Sequence, residues 1–211
     1  MMYTPRAFAT DDLDALDQLF AHDPFVTLIT PGDGALPQVS HLPVLYTRDQ
    51  QTVTLEGHWA RPNPQTAQAS EALVIVHGPH AYVSASWYPD KQLAGRVPTW
   101  NYAIAHLHGQ LQLIDEPSPL ARLIGRLSDA FESRAGSDWR FESDNPNAAH
   151  KLRGIVGFRF EARSIQIKLK LSQNHPQANI DAVIDALHRQ PAQDSRDTAN
   201  WMQRWRPDRD A

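Results

Sequence analysis

The sequence predicts a mainly β, α+β fold: a small antiparallel barrel or sandwich with peripheral helices. Three observations lead there. The first half of the chain carries about six short apolar-rich segments at near-regular spacing, each ended by turn residues. The second half adds apolar residues at helical spacing, with strand-like alternation between the helical stretches. No internal repeat or linker composition separates the halves, and 211 residues suffice for one substantial core.

Thr10 followed by Asp11 and Asp12 reads as an N-cap with acid in the first turn, where the helix dipole favours it. Leu13, Leu16, Leu19 and Phe20 then give a short amphipathic helix. Residues 24–30 (PFVTLIT) read as a strand, 31–34 (PGDG) as a turn, and 35–46 (ALPQVSHLPVLY) as the returning strand. TRDQQ leads into a strand over 52–59 (TVTLEGHW), which ends in ARPNPQ because two prolines cannot continue a ladder. TAQASEA (66–72) is expected to form a short helix. ALVIVHG (72–78) is nearly all apolar and predicts a strand buried on both faces. HAYVSASWY (80–88) follows as a separate strand, and 89–98 as a loop.

VPTWNYAIAHLHG (97–109) is a strongly uneven strand. One face carries Trp100, Tyr102, Ile104, His106 and His108; the other carries Thr99, Asn101, Ala103, Ala105 and Leu107. A β core explains part of that asymmetry, and so does a planar ligand lying against the strand. The strand is expected to run on to Asp115. Pro117 and Pro119 start a helix whose Leu120, Leu123, Ile124, Leu127 and Phe131 share a face. A short helix over 145–154 closes at Gly154. IVGFRFEA and SIQIKLKLS read as two more strands, and 178–190 as a helix. In the second of those strands Ile165, Ile167, Leu169 and Leu171 point one way. The polar tail from 191 to 211 is expected to be loosely attached or bound to a partner.

Composition narrows the function classes. Apolar (41%) and charged (21%) fractions are those of a soluble globular protein. No apolar run is long enough to cross a bilayer, and MMYTPRAFATDD lacks a signal-peptide core, so a cytoplasmic protein without a membrane partner is expected. With no cysteine there is no disulfide, thiolate metal site or Cys nucleophile. A net charge of −4 gives nucleic-acid binding no support. The glycine-rich dinucleotide and phosphate loops, H-E-x-x-H and G-x-S-x-G are all absent, which disfavours a Rossmann dehydrogenase, a P-loop hydrolase and a serine hydrolase.

Four stretches carry candidate chemistry, each with a plain alternative. In GHWARPNPQ (57–65), Arg61 is a cation at the start of the expected helix, suited to phosphate, with His58 and Asn63 as further donors. A proline-stiffened turn with a solvated arginine fits as well. In HGPHAYVSASWYP (77–89), Ser84 and Ser86 share a face with Tyr82 and Tyr88 and could reach phosphate or ring-edge atoms, or form a polar outer face. His106 and His108 could hold one side of a metal site, with His77, His80 or a carboxylate as a third ligand, but most such pairs in strands bind nothing and no metal is expected. KLKLSQN (168–174) ends with Lys170, Ser172, Gln173 and Asn174, whose amides suit the carbonyl and imide edge of a ring or an ordinary turn.

Taken in order, MYTPRAF, PFVTLIT, SHLPVLY, GHWARPNPQ, GPHAYVSASWYP, VPTWNY, IVGFRFE and KLSQN resemble the PaiB family, FMN-binding proteins called negative transcriptional regulators. The likeness runs from Met2 to about Leu187, a span that fits a single domain. It implies the FMN-binding split β-barrel, shared with pyridoxamine-phosphate oxidases and many flavin reductases, and a homodimer with FMN at the subunit interface. Residues 1–190 would form that domain with its helical additions, and 191–211 the polar C-terminal tail. By the same resemblance Ser40, His41, Leu42 and Pro43 lie along the isoalloxazine, and His58, Arg61 and Asn63 receive the phosphate. Thr99, Trp100, Asn101 and Tyr102 close the site, with Lys170, Ser172 and Gln173 near the ring. Trp59 and Pro62 stand where the family pattern has Leu and Ala, and His175 where it has Arg.

Two functions follow from the resemblance. One is a flavin-binding negative transcriptional regulator, acting directly or indirectly. DNA is a possible partner, though the acidic charge and the lack of a helix-turn-helix pattern do not support it. The other is an FMN-dependent oxidoreductase, of flavin-reductase or pyridoxamine-phosphate-oxidase type, with His41, His58 and His106 as proton-transfer candidates. A haem-binding split barrel is a third reading without a specific motif.

Overall fold

A computed structural model of the chain describes residues 2–32, 34, 36–67 and 70–206. A two-residue strand β1 (Ala9–Thr10) precedes α1 (Leu13–His22), whose first turn is held by the Asp12 carboxylate accepting from the Asp14 amide at 2.9 Å. The strands β2 (Phe25–Thr30), β3 (Gln38–Pro43), β4 (Leu45–Asp49), β5 (Thr52–Ala60), β6 (Glu71–Val83) and β7 (Thr99–Ile114) follow. After them come α2 (Pro117–Ala135), α3 (Pro146–Leu152), β8 (Ile155–Lys170), α4 (Gln177–His188) and α5 (Gln193–Arg204). The strand order is β3-β2-β6-β7-β8-β5-β4, with β1 also paired to β8. The fold is thus mainly antiparallel β with added helices.

The chain packs as two compact units. Unit 1 holds Met1–Leu19, His77–Ala105 and Gln166–Ala211; unit 2 holds Phe20–Val76 and His106–Ile165. In unit 2 the second strand expected from sequence divides at Val44. Pro43 has no N–H to continue the ladder with β2, and the Val44 amide bonds Pro24 O at 3.1 Å before β4 joins β5. Strands β3 and β4 therefore end opposite sides of the strand order with one residue between them, so the unit 2 sheet curls round toward closure. Its core includes Val26, Leu28, Leu55, Trp59, Phe158 and Phe160, all buried. Pro117 starts α2, and Gly136 ends it at φ +74, donating to Glu132 O and Ser133 O. Leu120, Leu123 and Leu127 of α2 are buried, as their spacing predicts. Arg126 reaches the nearly buried Glu56 of β5 at 2.6 Å, so that carboxylate is paired.

In unit 1, α1 buries Ala15, Leu16 and Leu19, while α4 buries Ile180, Val183, Ile184 and Leu187. The small face of β7 turns to the core: Asn101, Ala103 and Ala105 are buried. A Cβ on Gly78 would collide with Leu19 Cδ2 and lie 2.9 Å from Ala103 O, so strand and helix approach too closely there for large side chains. The bulky face remains half open, with Trp100 52% exposed.

Several expectations change. The segments at 72–78 and 80–88 are one strand, β6, followed by a 3-10 turn at Ala85–Trp87. The buried positions are 72, 74 and 76, then 79, 81 and 83. That one-residue phase shift at Gly78–Pro79 imitates a strand break. Leu73 and Ile75 are only partly buried, so the strand is not covered equally on both faces. The two expected late strands are likewise continuous in β8, because Arg163 and Ser164 are exposed without ending the ladder geometry. The tail contains α5, which buries Thr198, Ala199, Trp201 and Met202; its sequence is polar overall because only one stripe packs. Asp33 and Ala35 of the expected turn and strand, Gln68 and Ala69 of the expected helix, and residues 207–211 lie outside the described residues. The described part of that helix is a 3-10 turn at Pro64–Ala67, with β6 beginning at Glu71.

Candidate functional site

In unit 2, β3 alternates: Ser40 and Leu42 point inward, His41 and Pro43 outward. A flat ligand can meet only one of those pairs through side chains. His41 Nδ1 lies 3.0 Å from Thr27 Oγ1 on the neighbouring strand, a hydrogen-bonded pair on the exposed face. Phe25 and Val39, each about half exposed, share that face. Ser40 faces the other way, into a polar network. Its hydroxyl donates to Gln65 Oε1 and accepts from Asn63 Nδ2 at 2.9 Å. Gln65, 1% exposed, donates its amide N–H to Asn63 Oδ1 and its Nε2 to Thr30 Oγ1 and Gln38 O. The Pro64–Ala67 turn places it there. Sequence reasoning missed Gln65; the only signal was a glutamine just after two prolines at a strand end.

Arg61 does not stand free. Its Nε donates to Arg153 O at 2.8 Å, Nη2 to Ile155 O at 2.9 Å, and both terminal nitrogens to the Asp115 carboxylate. Four of its five N–H groups are thus taken, and the Asp115 hydrogen bond raises its pKa further. It borders a cavity of about 930 Å³ with Leu120, Arg122, Phe141, Leu152 and Arg153, and no other predicted site residue lines that cavity. His58 on β5 is partly buried, and burial lowers its pKa, favouring the neutral ring.

In unit 1, the start of β7 meets the end of β8. Lys170 Nζ donates to Thr99 Oγ1 and, at 2.6 Å, to Trp100 O; burial, then the charge of Lys168, lowers its pKa. Lys168 sits 5.2 Å from the centre of the Tyr102 ring, a cation–π contact. Asn101 and Ser172, both buried, exchange hydrogen bonds at 2.9 and 3.2 Å. Ser172 takes φ +66, a conformation that L residues rarely hold unless their surroundings impose it. Gln173 is turned to the backbone, accepting from Leu171 N and donating to Leu169 O. Trp100 and Tyr82, about half exposed, meet edge to face at 6.1 Å, with His80 5.9 Å from Trp100.

A cavity of about 280 Å³ in unit 1 is lined by Tyr88, Arg96, Asn101, Lys170, Ser172 and His175, among others. It gathers Thr99 as well, so four predicted residues share one wall. Arg96 is held by Asp90 at 2.9 and 2.5 Å, and Asp90 also accepts from Asn179. Those bonds, led by Arg96, hold the Asp90 pKa at about 2. His175 stacks flat on Tyr88 at 4.9 Å. The sequence marks 89–98 only as a connection; its charged ends were the available signal for Asp90 and Arg96.

Comparison with known proteins places the chain in a family. A family model described as "Putative FMN-binding domain" matches residues 2–164. The chain is 31% identical over 206 residues to the Bacillus subtilis (strain 168) protein named protease synthase and sporulation protein PAI 2, covering 96% of this chain and 97% of that one. An uncharacterized Emericella nidulans protein is 30% identical, with 88% of this chain and 90% of that one covered. Among solved structures, the FAD and heme binding protein of Mycobacterium smegmatis superposes with a TM-score of 0.56 at 17% identity, covering 77% of this chain and 73% of that chain. The flavocytochrome Anf3 of Azotobacter vinelandii gives 0.54 at 14% identity, covering 77% and 69%. At such identities the likeness is one of fold, the split barrel. By the match across residues 2–164 and the near-full-length relative, the chain belongs to the FMN-binding domain family, with FMN as its cofactor.

Proposed function

We propose that the chain is a cytoplasmic, homodimeric FMN-binding protein of the PaiB type that acts as a negative regulator through its flavin-loaded form. The observation that carries this reading is the exposed aromatic platform of Tyr82 and Trp100 beside Lys170, a surface suited to a flat, electron-poor ring. The residues fit FMN. Trp100 offers a face to the isoalloxazine, and Lys170, bonded to the Trp100 carbonyl, holds that residue in place beside the ring. In unit 2, Asn63, held by Ser40, keeps one Nδ2 proton, and it, the His58 ring and one remaining Arg61 N–H are groups suited to a phosphate. Bound FMN supplies reversible electron transfer. The exposed apolar face of Phe25 and Val39 supports a homodimer with FMN at its interface.

The net charge of −4 favours indirect regulation over tight DNA binding. Deleting the gene should raise transcripts that wild-type protein represses, and Trp100→Ala should fail to restore repression. Full repression by Trp100→Ala would refute the flavin-linked role. The polar cavity beside Lys170 favours a second reading, an FMN-dependent oxidoreductase acting on a small molecule. Multiple turnovers with a nicotinamide cofactor and an electron acceptor would select it.

A further inference from the structure

We propose that the unit 1 cavity is a binding site for a small oxyanion, the carboxylate or phosphate group of a ligand distinct from FMN. At about 280 Å³ it lies near the lower limit of ligand pockets, so it admits a small acid or a head group rather than a nucleotide. Its walls are built rather than incidental: Tyr88, Asn101 and Ser172 are each at most 3% exposed.

Three features ask for an anion. Lys170 donates to Thr99 Oγ1 and Trp100 O, both neutral, so its charge has no carboxylate partner among the described residues. The Tyr88 hydroxyl, which takes a hydrogen bond from Ser172 and keeps its own proton to give, lines the same cavity as His175 Nδ1, which is buried without a hydrogen-bond partner among the described residues. An oxyanion would accept from both and from the ammonium. Arg96 adds a second cation, itself balanced by Asp90. Ser172, held at φ +66, keeps its hydroxyl on Asn101, which fixes the floor between Lys170 and His175. His175 is where this chain departs from the arginine of the family pattern. The position is then a tuning point: an imidazole can donate one hydrogen bond to the anion without a permanent charge.

The inference goes beyond the flavin reading and can fail separately from it. Apo and FMN-loaded protein are titrated calorimetrically with inorganic phosphate and, separately, acetate at constant ionic strength. Saturable binding of either probe to both forms is expected, and the tighter probe identifies the head group. Tyr88→Phe, which keeps the ring and its stacking, should weaken binding about tenfold, the value of one hydrogen bond to a charged group. His175→Arg should tighten it by a similar factor. Absence of binding to the apo and loaded forms overturns the proposal. Loss of binding on FMN loading overturns it too, because the cavity then belongs to the cofactor. Unchanged affinity in both variants places the anion elsewhere. Phosphate binding by a protein that takes no FMN would uphold this site while refuting the flavin reading.

Discussion

Replacing Gln65 should weaken the protein more than any exposed site residue. Its Nε2 has two protons and three neighbouring acceptors: Thr30 Oγ1 at 3.1 Å, Gln38 O at 3.2 Å and Leu28 O at 3.4 Å. Two bonds can form at once, and the Ser40 hydroxyl adds a third through Oε1. At about 1 kcal/mol net for each, Gln65→Ala loses about 3 kcal/mol, since the groups left behind are buried. For a chain of 211 residues, each kcal/mol lowers Tm by about 2–4 °C, so a fall of about 6–12 °C is expected. Gln65→Met keeps the volume and lacks the amide, which separates hydrogen bonding from packing. It should lose nearly as much. Thermal unfolding by circular dichroism measures both. A methionine variant as stable as wild type would show that the network does not hold β2, β3 and the 64–67 turn together. FMN affinity should fall with Ser40 and Asn63 no longer positioned.

Arg61→Ala should lower Tm while changing FMN affinity less than about threefold, because most guanidinium donors are engaged by Asp115 and the 153–155 backbone. A tenfold loss, measured by fluorescence titration, would show that Arg61 leaves Asp115 for the phosphate. The Asp90–Arg96 pair sets an acid limit. The Asp90 pKa lies at about 2, below its ordinary 3.8, so its stabilisation is complete above pH 3.8 and disappears as pH falls through about 2. Asp90→Asn should flatten the Tm profile in that window, and an unaltered acid limb would exclude the pair as its source. Gly109→Ala should destabilise by at least about 2 kcal/mol, since its Cβ would enter the Glu161 carbonyl oxygen. Wild-type stability in denaturant titration would contradict that packing.

Helices α1, α2 and α4 were legible because their apolar spacing stands out, as with Leu120, Leu123 and Leu127 between Pro117 and Gly136, whereas the polar sequence of α5 hid the one stripe that packs. Strand count was less legible. Pro79 inside β6 and the exposed middle of β8 both look like breaks, whereas Val44, an ordinary apolar residue, marks a real change of ladder. The lopsided face of β7 was visible, but not which side packs. Only the approach of Gly78 and Leu19 decides that the alanines face inward. Of the candidate residues, the sequence showed types and order, and Arg61 and Gln173 looked like free ligands. Their commitment to Asp115 and to backbone carbonyls depends on segments far along the chain or on a turn geometry that periodicity does not describe. Gln65 was overlooked for the same reason, as it interrupts no pattern.

The visible absorption spectrum of the purified protein, followed by analysis of what acid denaturation releases, tests the central claim most directly. The account predicts a flavin spectrum and release of FMN, with apo protein taking FMN back and Trp100→Ala taking it more weakly. A colourless protein that binds no added FMN would contradict it.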